Sequence, residues 1–150
     1  TQMAYLGTVT SGGSKTITVN FSGSVSSYVF LQELHDGSNG GIALSGSGNA
    51  SNAASANPTV NVTTDADSTA IFGVLESVDT DPTVGANYTQ LNETAFFQFE
   101  NSMYDLDAGA AGTYAANWTA SSGRWTVAAA GFKPSAGGGG GGSAPLFRGS

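Results

Sequence analysis

The chain has 150 residues, 10% of them charged, and its four Lys and Arg against eleven Asp and Glu give a net charge of −7. That is one domain's worth of chain, and the scarcity of clustered basic residues argues against nucleic acid or an anionic membrane surface as partner. With no cysteine, disulfides, thiol catalysis and Cys-based zinc sites are excluded, and no run approaches the ~20 apolar residues needed to span a bilayer.

Taken in order, the chain reads as strands separated by turn signals at short intervals. Met3 to Thr10 is a weak strand candidate. Lys15 to Phe21 alternates cleanly, with Ile17, Val19 and Phe21 on one face and Thr16, Thr18 and Asn20 on the other. Such a period of two marks a half-buried strand. Tyr28 to Leu34 begins apolar on both faces, as a central strand does. Gly37 to Ala56 reads as a low-complexity loop, with a short strand at Ile42 to Leu44. Thr59 to Thr63 alternates again. Ser68 to Glu76 is continuous and apolar between acidic turns. Ala95 to Tyr104 alternates after Phe96. Gly112 to Thr119 and Arg124 to Phe132 read as a last strand pair, turned at Ala120 to Gly123. No window of helical period survives, because the Ala-rich segments hold Gly, Thr and Asn where a helix needs stronger formers.

Short strands without helices predict an all-β, antiparallel sandwich or barrel. The folded domain is expected over 1–134. It is followed at 135–150 by a tail with six glycines, Gly137 to Gly142, that reads as a linker or an assembly element. The chain begins Thr-Gln-Met, so it is expected to be a processed or excerpted piece whose missing targeting signals say nothing about compartment.

Three stretches, VTSGGSKTITVNFSGSVSSYVFLQEL, NPTVNVTTDADSTAIFGVLES and YAANWTASSGRWTVAAAGFKP, together resemble a jelly-roll-like β-sandwich module of bacterial surface and phage-encoded proteins. The resemblance runs through Thr16 to Ser22, Val60 to Asp65 and a terminal Trp118-x6-Trp125 hairpin ending in Lys133-Pro134 before the Gly-rich tail. It implies a jelly-roll-like sandwich with further strands upstream of Thr1, and it carries no activity to transfer.

Chemistry-bearing residues each have a plain alternative. His35 is the only histidine. Adjacent Asp36 points to the opposite face of an extended chain, so the pair does not make a triad. Glu33, Glu76, Glu93 and Glu100 are strand-borne carboxylates of the type glycoside hydrolysis uses, but none has the aromatic-rich surroundings with nearby Arg that sugar clefts usually show. Asp65/Asp67, Asp79/Asp81 and Asp105/Asp107 are Asp-x-Asp pairs in turns. Calcium takes alternate carboxylates of this kind, with Asp79, Asp81, Asp105 and Asp107 the better pairs, and Asp equally serves as a turn cap. Trp118 and Trp125 read as sheet-packing residues, which leaves Tyr88 and Tyr104 freer for a ligand such as a surface glycan. Asn20, Asn49, Asn61, Asn87, Asn92 and Asn117 begin Asn-x-Ser/Thr sequences. Asn61 and Asn117 lie in strands; Asn49, Asn87 and Asn92 are the candidate glycosylation sites.

The function expected from these features is non-enzymatic. It is a structural subunit or display module outside the cell, on a cell surface or on a virion, associating with further copies through sheet edges and terminal extensions. The residues expected to carry assembly are Met3, Tyr5 and Leu6 at one end and Leu146 and Phe147 at the other. No cofactor is required, calcium aside. The alternative is a carbohydrate-binding or adhesive module.

Overall fold

A computed structural model of the chain describes residues 41–67, 69–77, 82–96, 98–105 and 108–135, together with Ser14, Thr16, Thr18, Asn20 and 22–24; over 92–105 the description is of the backbone. The strands expected at Met3 to Thr10 and Tyr28 to Leu34, and the tail beyond Ser135, lie outside the described residues. Thr16, Thr18 and Asn20 are exposed, as the polar face of their alternating segment requires.

The described chain is all-β, without a helix, and its strands form two antiparallel sheets. The strands are β1 (Ile42–Ser55), β2 (Thr59–Thr63), β3 (Ala70–Ser77), β4 (Thr83–Val84), β5 (Thr89–Phe96), β6 (Gln98–Asp105), β7 (Thr113–Thr119) and β8 (Gly123–Pro134). The five-stranded sheet has the order β1-β8-β3-β6-β5, and the three-stranded sheet the order β2-β7-β4.

Alternation decides which residues go inward. In β2, Val60 and Val62 are buried while Thr59, Asn61 and Thr63 are exposed. In β8, Trp125, Val127, Ala129 and Gly131 are buried while the residues between them are half-buried. Ile71 and Leu75 come from β3, and Ala116 and Trp118 from β7, so both sheets contribute to one core. Fully burying a Val, Leu or Ile side chain stabilises by about 1.5–3 kcal/mol, which makes this shared core the main source of cohesion. The run at Ser68 to Glu76 reads as continuous and apolar, and its strand, β3, occupies the middle of its sheet. Its inner positions are buried, and Phe72, Val74 and Glu76 on the other face are half-buried.

Three expectations are corrected. First, the stretch read as a loop is mostly strand: β1 runs fourteen residues, Ile42–Ser55, antiparallel to β8. Its Gly, Ser, Asn and Ala residues carry almost no apolar signal because the strand borders its sheet and faces a closely packed backbone. The space where a Cβ would stand at Gly46 lies 2.0 Å from the Thr63 carbonyl oxygen, and at Gly48 it lies 2.4 Å from that of Asn61. Glycine at these two alternate positions lets β2 cross β1 nearly backbone to backbone.

Second, Ala95 to Tyr104 is not one strand. Phe96 pairs with Gln98, so β5 and β6 form an antiparallel hairpin. Strand β5 (TQLNETAF) escapes a pattern search because it too borders the sheet, where no continuous apolar face is needed.

Third, Gly112 to Thr119 and Arg124 to Phe132 do not form a hairpin. Strand β7 pairs with β2 and β4, and β8 with β1 and β3, so the turn carries the chain from one sheet to the other. The physical reason lies in the inner faces: Ala116 and Trp118 on one strand, and Trp125, Val127 and Ala129 on the other, bury most by meeting across the core rather than lying side by side.

Candidate functional site

Two features of the described surface stand out from the regular strand faces: a polar clasp beside β1, and the long outer border of β1 itself.

The clasp arises from a β-bulge. Leu44 pairs with Phe132 and Gly46 with Gly131, leaving Ser45 as an extra residue on β1. A bulge turns its side chain off the pleat, and Ser45 is buried. Its Oγ donates to Asp65 Oδ1 at 2.6 Å and accepts from the Asp65 N–H at 3.1 Å and from Thr69 Oγ1 at 3.4 Å. Lys133 Nζ donates to Asp65 Oδ2 at 2.6 Å. The Lys133 ammonium, and after it the Ser45 hydroxyl, hold the Asp65 carboxyl below its ordinary value of 3.8. A carboxylate so stabilised is a poor proton acceptor, and Ser45 has its donor and acceptor roles taken. Chemically, the arrangement fixes the β2–β3 turn against β1 and β8.

The neighbouring acid does the same work elsewhere. Asp67 Oδ1 accepts the Ala111 N–H at 2.9 Å, tying the same turn to the start of β7. Asp65 and Asp67 therefore diverge as turn caps. Among the described residues no group of three or more His, Cys, Asp or Glu could hold a metal ion. Asp79, Asp81 and Asp107 lie outside the described residues, and Asp105 is placed at the end of β6 by its backbone.

Of the ligand candidates, Tyr88 is half-buried against the core, and its hydroxyl donates to the Ala115 carbonyl at 3.0 Å. Tyr104 sits on β6, opposite Phe72 and Thr89 in register. Trp118 and Trp125 are both core residues, 2% and 7% exposed. They differ in one respect: Trp125 Nε1 donates to the Ser55 carbonyl at 3.2 Å and Ser55 Oγ at 3.0 Å, whereas buried Trp118 Nε1 has no partner among the described residues. His35 and Glu33 lie outside the described residues; Glu76 on β3 stands opposite Glu100 on β6.

Among the sequons, Asn49 is exposed on β1, and Asn87 is exposed with φ 76° in the turn before β5. Asn92 lies on β5. Met3, Tyr5, Leu6, Leu146 and Phe147 lie outside the described residues.

The outer border of β1 went unnoticed in the sequence. Among the described residues β8 is its one strand neighbour, and Ser47, Asn49, Ser51, Asn52, Ala53 and Ala54 are exposed. The available signal was small residues at alternate positions (Gly46, Gly48, Ala50) in a stretch free of proline and charge. No family model, no curated protein and no solved structure matches this chain.

Proposed function

We propose that the chain is a non-enzymatic structural subunit or display module of an extracellular filament, cell surface or virion. In this reading it is a jelly-roll-like antiparallel β-sandwich that self-associates through sheet edges and terminal extensions. The observation that carries the reading is β1, which among the described residues is a fourteen-residue border strand containing neither charge nor proline. Charged side chains, proline and short length are the devices by which sheet edges avoid adding strands from other chains. A long border with neither charge nor proline is suited to strand addition, in which backbone N–H and C=O groups of one chain extend the sheet of another.

Light scattering across a concentration series, with electron micrographs of the same samples, tests this reading. Particles larger than one chain, growing with concentration, are the expected result; a single-copy particle at every concentration would refute it. Deleting 135–150 is expected to reduce particle size if the tail takes part.

A second reading, as a carbohydrate-binding or adhesive module, is favoured by the outer face of the three-stranded sheet. There Thr59, Asn61, Thr63, Thr113, Asn117 and Thr119 are all exposed, an uncharged array of hydroxyls and amides suited to sugar hydroxyls. Binding on a glycan array, lost on Asn61→Asp with Asn117→Asp, would support it.

A further inference from the structure

We propose that β1 pairs antiparallel with β1 of a second copy of this chain, about a two-fold axis at Asn49. This rests on the self-association reading above and names the surface and the register. Residues 46–52 stay in unbroken register with β8, bounded by irregularities between Leu44 and Gly46 and between Asn52 and Ser55. This seven-residue window is the straight part of the border, about 23 Å long at ~3.3 Å per residue.

Its sequence is GSGNASN, and the central five residues, SGNAS, are self-complementary when reversed about their centre. A two-fold axis at Asn49 sets Ser47 opposite the partner's Ser51, Gly48 opposite the partner's Ala50, and Asn49 opposite the partner's Asn49. One side of the window carries exposed Ser47, Asn49 and Ser51, and the other carries half-buried Gly46, Gly48 and Ala50 and, at its end, exposed Asn52. Over the central five residues each cross-strand pair therefore matches small with small or hydrogen-bonding with hydrogen-bonding, and at the two ends Gly46 leaves room for the partner's Asn52. A C2 interface demands this kind of self-match, because the same patch serves both subunits.

Charge favours the same border. The chain carries −7 overall, which holds copies apart, yet β1 contains none of the eleven acidic residues. Joined this way, the two five-stranded sheets become one continuous sheet, with alternate residue pairs at the junction exchanging two backbone hydrogen bonds each.

The absence of native cysteine makes the test clean. Opposite residues of an antiparallel pair have Cα atoms roughly 4.5–5.5 Å apart, inside the range of about 4.4–6.8 Å that a disulfide spans. The full chain carrying Asn49→Cys is expected to form a covalent dimer on mild oxidation. A mixture of Ser47→Cys and Ser51→Cys proteins is expected to form the mixed dimer in preference to either homodimer. Thr119→Cys, exposed on the outer face of β7, is the control and stays uncross-linked. Asn49→Lys, which sets two ammonium groups opposite one another, is expected to weaken self-association about fivefold in sedimentation, with thermal unfolding unchanged.

Cross-linking of Asn49→Cys no faster than of Thr119→Cys, with an unaltered Asn49→Lys oligomer, overturns the β1 pairing while leaving self-association standing. That outcome assigns the border to a different occupant, such as another segment of the chain. A wild-type chain that never exceeds one copy removes both proposals together.

Discussion

Single residues in this fold are distinguished by whether their polar atoms are satisfied. Ser45 serves three hydrogen bonds from a buried bulge position. Ser45→Ala is therefore expected to cost about 1–3 kcal/mol, the loss typical of leaving buried partners unpaired, read from denaturant unfolding. The two core tryptophans should respond unequally to the same change. Trp125→Phe gives up both the ring volume and the bond to Ser55, whereas Trp118→Phe gives up volume and relieves an orphaned N–H. The Trp125 variant is expected to lose more stability, by about 1 kcal/mol. Asp65 supplies a pH signature. Its folded-state value is lowered, so its contribution is present above 3.8 and is lost as pH falls through the lower folded value. Melting curves of wild type and Asp65→Asn should accordingly differ near neutrality and converge in acid; a gap that widens in acid contradicts this assignment.

At the level of elements, β1 and β2 show how a strand can be specified by what it lacks. A methyl group at Gly46 would stand 2.0 Å from the Thr63 carbonyl oxygen, a backbone atom with little room to give. Gly46→Ala is thus expected to destabilise by at least the ~1–3 kcal/mol of ordinary overpacking. Gly112→Ala, where the nearest atom is 3.8 Å away, is expected to stay within about 0.5 kcal/mol of wild type. Equal unfolding midpoints for the two variants would show that β1 and β2 do not approach as described. The contrast also explains which strands were legible. The apolar alternation of Val60 and Val62, the continuous run through Ile71 and Leu75, and the Trp125–Val127–Ala129 series announce themselves because each buries a face. Among the described residues strands β1 and β5 border their sheet, and a border strand owes its place to backbone pairing, which leaves no side-chain pattern to find. The candidate site was correspondingly hard to see: Asp65 was visible as a turn acid, but its partners Ser45 and Lys133 stand 20 and 68 positions away in sequence.

For the whole molecule, association is governed by the balance between a neutral border and a net charge of −7. Raising ionic strength screens the repulsion between copies, and the Debye length shrinks to about 8 Å at 0.15 M. Self-association through β1 is therefore expected to strengthen as salt is raised from a low-salt buffer to physiological strength, as measured by sedimentation velocity. Dissociation by salt would instead point to an interface held by ion pairs, which β1 cannot supply because it has no charged residue.

The sequence alone determined that this chain builds from strands, and which residues of its core-facing strands turn inward. Both follow from the two-residue repeat of an extended backbone, a local property. Only the tertiary structure decided that Trp118 and Trp125 belong to different sheets, that a Gly-Ser-Asn-Ala stretch is the longest described strand, and that Ser45, Asp65 and Lys133 meet. Those outcomes depend on which backbone lies beside which, and hydrogen bonds between strands carry no residue code that a single chain read end to end could reveal.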